Sequence, residues 1–346
     1  MNKFFESRLK QYSILLLLAV LAFFILKSLK VFIPGILGAI TLYILSRENY
    51  FQMLYTRKWK PKTAALIYVL YFLLLLGVPF FFAYSLISPK IEVLLANPEA
   101  AIAQVKKVVS AVEAKLGWKI MTQGKLEMQL TSLMAKVPSF LNETANVVSN
   151  LAIMLFLLYH MLGNAKVMEK KLFKMIPLRP ENIQLLAREG KTIIKSNAIG
   201  IPLTSLLQGI TAAIGYAIFK VPEWYIWGFL TAIFAFMPIV GTMLVWVPLV
   251  IYMYTIGSTF SATALLLYGI LVISNVDYLA RLTIMKKLGD VHPVVTVLGI
   301  IAGFELFGFI GLVFGPVLLN YLMVVYKIYI NEFRPADTVM TSGSNP

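Results

Sequence analysis

Few residues of this sequence combine an ionisable side chain with apolar surroundings, and Glu305 is one of them. It lies between Gly303 and Gly308 in a long apolar segment and has no basic neighbour in sequence. A carboxylate in apolar surroundings is protonated, paired with another helix or bound to a cation, whereas one that meets water needs no partner. Two alternatives follow for Glu305: a proton or Na⁺ site on a pathway, or a solvated carboxylate at an interface.

Asp277 and Arg281 form a second candidate pair. They are four residues apart, so on a helix they share one face, with the acid N-terminal to the base as in favourable pairs. At 1.5 Å per residue they lie roughly 26–30 Å along a helix that begins near Phe260, close to one edge of a bilayer. Two interpretations remain open: an ion pair that fixes a helix end, or a gate for a solute.

Two apolar segments, 224–256 and 292–329, are interrupted by glycine and proline. Unwound backbone at membrane depth must be buried in protein or line a wet cavity, and paired broken segments indicate the binding site of a transporter. Ordinary kinked helices are the alternative interpretation. The residues that we predict to line a pathway at these breaks are Pro238, Gly241, Gly303, Gly308, Gly311, Gly315 and Pro316.

Two neutral polar residues, Gln208 and Asn275, lie in other apolar segments. Amide side chains in membrane helices more often join helices to one another than bind a ligand. We therefore predict them to be either contacts between helices or part of a polar pathway lining.

Several kinds of chemistry are excluded or disfavoured by the sequence. It contains no cysteine, which rules out disulfides, thiol catalysis and thiolate metal sites. It contains no G-x-x-x-x-G-K-[ST] loop for ATP hydrolysis. Its two histidines, His160 and His292, are far apart. We predict no enzyme activity, no cofactor and no metal centre, apart from the Na⁺ considered for Glu305.

The composition predicts an all-α polytopic membrane protein. The chain is 59% hydrophobic and 14% charged, with a mean hydropathy of +0.81, whereas soluble domains are about 45–50% apolar and roughly 25% charged. The apolar residues form blocks, and a crossing helix needs about 20 of them. The net charge of +15 comes from basic residues between these blocks, which is typical of cytoplasmic loops and argues against nucleic acid as a partner.

We predict about eight spanning or re-entrant helical segments in four regions. Residues 1–87 contain the first membrane helices, among them two short spans near 12–29 and 31–45 that meet at Lys27 and Lys30. Residues 88–146 form an extracytoplasmic amphipathic helical insert. Residues 147–330 form a transport core that includes a cytoplasmic helix at 164–197, and residues 331–346 form a flexible cytoplasmic tail. No cleavage site follows the first apolar run, so we expect it to be retained.

The distribution of lysine and arginine predicts the orientation. Two strongly basic stretches, at 47–62 and 166–195, are expected in the cytoplasm together with both termini. Lys27 and Lys30 oppose this assignment and are outnumbered. The protein is then a multi-pass component of the bacterial cytoplasmic membrane.

The last third of the chain resembles the bacterial autoinducer-2 exporter family. The resemblance lies in VDYLARLTIMKKLGDVHP at 276–293, in GIIAGFELFGFIGLVFGPVLL at 299–319 and in PIVGT at 238–242. Tyr278 and Leu282 depart from the Asn and Pro usual in that family. The matching positions are Asp277, Arg281, His292, Pro293, Gly303, Gly308, Gly311, Gly315 and Pro316.

The resemblance implies an oligomeric inner-membrane carrier that exports a small polar signalling molecule. Some relatives are described as sodium(lithium)/proton antiporters, which would require a titratable carboxylate such as Glu305 or Asp277. An exporter of a neutral polyol requires only hydrogen-bonding groups in a hydrated path. A third alternative, a membrane scaffold whose insert at 88–146 binds a partner protein, fits the broken helices poorly. The expected partners are thus a polar solute, or a monovalent cation and proton, with membrane lipid and further copies of the chain.

Overall fold

The computed structural model describes residues 2–116, 123–237, 240–280, 283, 293–308 and 311–333. Within these ranges the chain is almost entirely helical and contains no strand. The helices are α1 (Asn2–Leu29), α2 (Ile33–Thr56), α3 (Pro61–Ala96), α4 (Pro98–Leu116), α5 (Gln123–Gly163), α6 (Ala165–Met175), α7 (Pro180–Lys195), α8 (Ile201–Ile218), α9 (Trp224–Phe234), α10 (Val240–Thr255), α11 (Thr259–Tyr268), α12 (Ser274–Ala280), α13 (Pro293–Phe307) and α14 (Gly311–Phe333).

The predicted class, an all-α polytopic membrane protein, is confirmed. Five stretches of the described helices are long and apolar enough to cross a bilayer, and three shorter apolar helices accompany them. Apolar side chains cover most of the outer surface; Leu15, Leu16 and Leu17 on α1, for example, are each at least 60% exposed. A continuous apolar exterior of this extent is stable only in a hydrocarbon environment.

The first two helices differ from the prediction of two separate spans. A single 3₁₀ turn, Lys30–Phe32, joins α1 to α2 with helical backbone angles on both sides, so the chain bends there without reversing. Pro34 stands at the start of α2, where a proline does not interrupt a helix. Lys27 and Lys30 are exposed, and lysine does not by itself cause a chain to turn. The chain at Lys30–Phe32 therefore forms a bend and not a loop.

The two longest helices are far longer than a bilayer is thick. α3 has 36 residues and α5 has 41, which correspond to about 54 Å and about 62 Å, compared with the ~30 Å of a hydrocarbon core. α4 packs against α5, and Lys106 on α4 pairs with Glu127 on α5 at 2.6 Å. α4 and the first part of α5 thus form an antiparallel pair, which extends from the long helices α3 and α5.

Small residues bring α8 and α9 into close antiparallel contact. A Cβ built on Gly209 would lie 2.4 Å from Ala232 Cβ, and one on Gly228 would lie 2.4 Å from Ala213 Cβ. Only glycine permits this approach, which lets helices pack without a hydrophobic driving force. The same pair is held by a buried hydrogen bond of 3.0 Å between the Tyr216 hydroxyl and Thr231 Oγ1.

α13 and α14 form a second antiparallel hairpin, with even closer backbones. A Cβ on Gly315 would lie 1.9 Å from the Gly299 carbonyl oxygen. The turn begins at Gly308, whose φ of +62° is in the left-handed region that glycine adopts freely. The chain therefore reverses direction between α13 and α14.

The basic stretches pack together at one end of the bundle, through α2, α6, α7 and α14. Glu169 accepts hydrogen bonds from Tyr43 at 2.6 Å and from Arg47 Nη2 at 2.8 Å. Glu48 pairs with Lys191, and Arg179 pairs with Glu332 at 3.4 Å. These contacts define the basic side of the protein.

Candidate functional site

A row of buried polar side chains follows the inward face of α8 and of the turn before it. Asn197, Thr204, Ser205 and Gln208 are each at most 2% exposed. The spacing of Thr204, Ser205 and Gln208 keeps them on one helical face together with Ile201, which is also buried. Polar groups at membrane depth are unfavourable unless they are paired or functional. We call these four residues the polar stripe.

The stripe begins at a local distortion of the helix. Ser196–Gly200 forms a π turn between α7 and α8, one of the rare widened turns that are frequent at functional sites. The wider turn changes the angular position of every later residue, so Asn197 comes to lie on the same face as Ser205, eight positions further on. A regular α-helix would separate these two side chains by about 80°.

Two atoms of the stripe have no hydrogen-bond partner among the described residues. They are Asn197 Oδ1 and Ser205 Oγ. The Asn197 amide nitrogen donates to the Ile193 carbonyl at 2.8 Å, and Thr204 Oγ1 donates to the Ile201 carbonyl at 2.9 Å. Leaving a buried acceptor unpaired costs about 1–3 kcal/mol. The stripe therefore has free hydrogen-bonding capacity for a solute or for water.

The stripe lies level with the break after α9. Gly209 faces Ala232 near the end of α9, and Ser205 is one turn earlier on α8, so the antiparallel packing directs it towards the residues that follow α9. Phe236 belongs to the non-helical residues that follow α9, where the Met237 N–H donates to the Phe234 carbonyl at 2.9 Å. α12 also packs against α8. The buried polar face and the broken backbone thus occur at the same level of the protein.

Gly241 is required by the geometry of this break. A Cβ at its position would lie 1.9 Å from the Phe234 carbonyl oxygen. Its N–H donates to the Met237 carbonyl at 3.1 Å as α10 begins. Pro238, the other residue predicted at this break, lies outside the described residues. The Gly241 backbone therefore allows the chain to turn tightly between α9 and α10.

The glycines predicted at the second break lie together in the α13/α14 hairpin. Gly303 faces Gly311, and Gly299 faces Gly315 and Pro316. They leave no space between the two helices, so in this conformation their effect is close packing. Their role on a pathway remains a prediction.

Glu305 is on another side of α13. It is exposed, as are Phe304 and Leu306 beside it. Because it is two positions after Gly303, its side chain points away from the face that touches α14. Glu305 is therefore separate from the polar stripe of α8.

The remaining predicted residues are dispersed. Gln208 belongs to the stripe, whereas Asn275 is exposed and donates to the Leu271 carbonyl of its own helix at 2.9 Å. Asp277 lies on α12, but its side chain, like the whole of Arg281, is outside the described residues, so their pairing remains a prediction. The described residues hold no group of three or more His, Cys, Asp or Glu that could bind a metal ion.

Sequence reasoning found one residue of the stripe, Gln208, and missed the other three. Part of the signal was available in the spacing of Thr204, Ser205 and Gln208, which repeats at helical intervals in an otherwise apolar segment. Serine and threonine are common in membrane helices, where they bond to their own backbone. Only burial and unpaired atoms distinguish Ser205 from such residues.

Comparison with known proteins supplies the family. Residues 12–331 match the family described as AI-2E family transporter, which covers nearly the whole chain. The protein belongs to the AI-2E transporter family. It is accordingly a multi-pass membrane protein of a transporter family, and the resemblance seen in its last third is confirmed.

The relatives of this AI-2E transporter carry general names. A "Putative transport protein" of Aquifex aeolicus is 28% identical over 200 residues, 58% of this chain and 57% of that protein. The "Putative transport protein PH1000" of Pyrococcus horikoshii is 25% identical over 230 residues, 65% of this chain and 61% of that protein. "Putative transport protein YdiK" of Escherichia coli is 28% identical over 46% of this chain and 41% of its own length. The alignments thus span about two fifths to three fifths of these relatives, and their names specify no substrate.

Proposed function

We propose that this AI-2E transporter carries a small neutral polar solute such as autoinducer-2 out of the cell, with the polar stripe of α8 as its binding site. The observation that supports this most directly is the pair of unpartnered buried atoms, Asn197 Oδ1 and Ser205 Oγ. The stripe offers hydroxyl and amide groups and no ionisable side chain, which suits a polyol better than a charged solute. The break after α9 would supply backbone groups at the same level.

Transport without ATP hydrolysis is part of the proposal. The chain contains no phosphate-binding loop, and a carrier of this kind works by exposing one site alternately to either side. We place the basic side and the C-terminal end of α14 in the cytoplasm of a bacterial inner membrane, following the charge bias of the loops. Because α1 and α2 continue without reversing direction, the predicted cytoplasmic N-terminus is not part of this placement. The α4/α5 pair then projects outside.

A test of the site uses Ser205→Ala. Because Ser205 Oγ has no partner among the described residues, its removal breaks no protein hydrogen bond, and we expect normal folded yield. The loss of one hydrogen bond to the solute should lower initial efflux of preloaded autoinducer-2 from proteoliposomes about ten-fold, the equivalent of roughly 1.4 kcal/mol. Thr211→Ala is the matched control, because Thr211 lies on the same helix outside the stripe, is only half-buried and bonds to the carbonyl of Leu207 in its own helix.

The outcomes separate the alternatives. Normal efflux in Ser205→Ala and in Gln208→Ala would remove the stripe as the binding site. No efflux of autoinducer-2 by the wild-type protein, combined with proton movement driven by a sodium gradient, would support the antiporter alternative. The observation that favours that alternative is the exposure of Glu305 on an otherwise apolar helix.

A further inference from the structure

α6 carries a cluster of lysines that is not part of the proposed binding site on α8. Lys166, Lys170, Lys171 and Lys174 line a surface groove of about 400 Å³ together with Val167. None of these lysines forms an ion pair with a carboxylate of the described residues, although other lysines of the basic side do, such as Lys191 with Glu48. Four unpaired ammonium groups along three turns of helix repel one another unless an anion lies between them.

The same helix exposes large apolar side chains. Leu172 is 50% exposed, Phe173 54% and Met175 76%, and all three lie in the second half of α6. A short helix with lysines on one face and exposed apolar residues beside them is typical of helices that lie in a membrane interface.

The contacts of α6 place it at such an interface. Lys166 lies over the ring of Tyr55, near the end of α2, at 4.6 Å. Glu169 bonds to Arg47 and Tyr43, which are about two and about three turns before Tyr55 on α2. α6 therefore begins beside the polar and basic residues at the end of α2, and the apolar side chains of its second half are exposed.

We propose that α6 is a binding site for the headgroups of anionic phospholipids, with its C-terminal half inserted in the adjacent leaflet. The lysine groove would hold the phosphate groups, and Leu172, Phe173 and Met175 would contact the acyl chains. With the orientation proposed above, this is the cytoplasmic leaflet. An acidic protein or a nucleic acid could neutralise the lysines but would leave the neighbouring apolar side chains in water, which favours the lipid.

The absence of cysteine from the chain permits a specific test. Met175→Cys creates a single site for the environment-sensitive dye NBD, and dioctanoyl phosphatidylglycerol is titrated into the labelled protein in neutral detergent. We expect a saturable blue shift and increase of NBD emission. Dioctanoyl phosphatidylcholine at equal concentration should produce a much weaker response, because it carries no net charge.

The lysines are tested by Lys170→Gln, Lys171→Gln and Lys174→Gln combined in the labelled protein. Each lysine near an anionic surface contributes roughly a five-fold gain in affinity, so the triple variant should bind the lipid roughly 100-fold more weakly. The charge-matched control combines Lys107→Gln, Lys125→Gln and Lys327→Gln, three exposed lysines outside the groove, and should respond like wild type.

Three results would overturn the proposal: an equal response to phosphatidylcholine, an unchanged response in the groove variant, or the same emission shift with inorganic phosphate alone. A second measurement in vesicles containing phosphatidylglycerol, quenching of the dye by doxyl-labelled lipid, should be strong at position 175 and absent for a dye on Lys107→Cys. Equal quenching at both positions would also contradict it. These readouts do not require transport, so their failure is distinguishable from failure of the proposed function.

Discussion

Gly303 and Gly311 face each other across the α13/α14 hairpin so closely that a Cβ on Gly311 would lie 1.7 Å from the carbonyl oxygen of Gly303. The neighbouring turn of each helix repeats the contact with Gly299 and Gly315. Backbone atoms, and not flexible side chains, occupy the space that a methyl group would need. The hairpin can therefore adopt this packing only with glycine at these positions.

We predict that Gly311→Ala and Gly303→Ala destabilise the protein by about 1–3 kcal/mol, the usual consequence of overpacking, or more where backbone must move. Thermal unfolding and folded yield in detergent measure the effect. Gly163→Ala is the control, because a Cβ there would meet nothing within 4 Å, and it should be neutral or slightly stabilising. If Gly311→Ala unfolds at the wild-type temperature, the hairpin does not pack in this way.

Asn150 connects α5 to the bend between α1 and α2. Its Oδ1 accepts from the Gly35 N–H at 2.9 Å, and its amide nitrogen donates to the Val31 carbonyl at 3.0 Å. We predict that Asn150→Leu lowers stability by about 1–2 kcal/mol because it leaves both backbone groups unsatisfied in a buried place. Thermal unfolding of Asn146→Leu, which changes an exposed residue one turn earlier on α5, should match wild type. Equal melting temperatures for the two variants would contradict this role.

The pH dependence of stability should reflect Glu169. Its hydrogen bonds with Arg47 lower the pKa of the Glu169 carboxyl group, although burial opposes the shift. A group whose folded pKa is lowered stabilises the protein above its unfolded pKa, about 4.3 for glutamate, and this contribution is lost as the pH falls through the folded pKa.

We therefore expect Glu169→Gln to lower stability by about 0.5–1 kcal/mol above pH 5, since the pair is partly exposed. The difference between variant and wild type should disappear as the pH is lowered beyond the folded pKa. Melting temperatures across a pH series measure both effects. Glu127→Gln, which breaks the more exposed pair with Lys106, is the control and should change less. A pH-independent difference for Glu169→Gln would show that the carboxylate does not form the ion pair.

Glu305→Gln separates the two transport hypotheses. Because Glu305 lies on α13 away from the polar stripe, we expect the variant to retain efflux of autoinducer-2. In the same proteoliposomes, sodium-driven proton movement that is present in wild type and absent in the variant would instead identify the antiporter and make Glu305 its carrier. Retained pH-coupled exchange would exclude that assignment.

The fold class was predictable because the composition and the length of the apolar blocks indicate whether a chain is surrounded by lipid or by water. The family could be predicted from the glycine and proline pattern of the last third. The bend at Lys30–Phe32 was not predictable from the charges, since two lysines mark an interface equally well in a loop and in a continuous helix. The stripe was only partly predictable: Gln208 is conspicuous by type, whereas the π turn that aligns Asn197 with Ser205 depends on tertiary packing. Similarly, a glycine such as Gly303 indicates that a side chain is not tolerated at that position. It does not distinguish an unwound helix from two closely packed ones.

α4 is in contact with α10, so the α4/α5 pair is connected directly to a helix of the transport core. α10 begins at the break that faces the polar stripe, so α4 is one rigid element away from the proposed binding site. A bulky antibody fragment bound to α4 would restrict the movement of α10 and therefore of the non-helical residues between α9 and α10. With the orientation and function proposed above, such a reagent would bind outside the cell and slow transport without occupying the binding site itself.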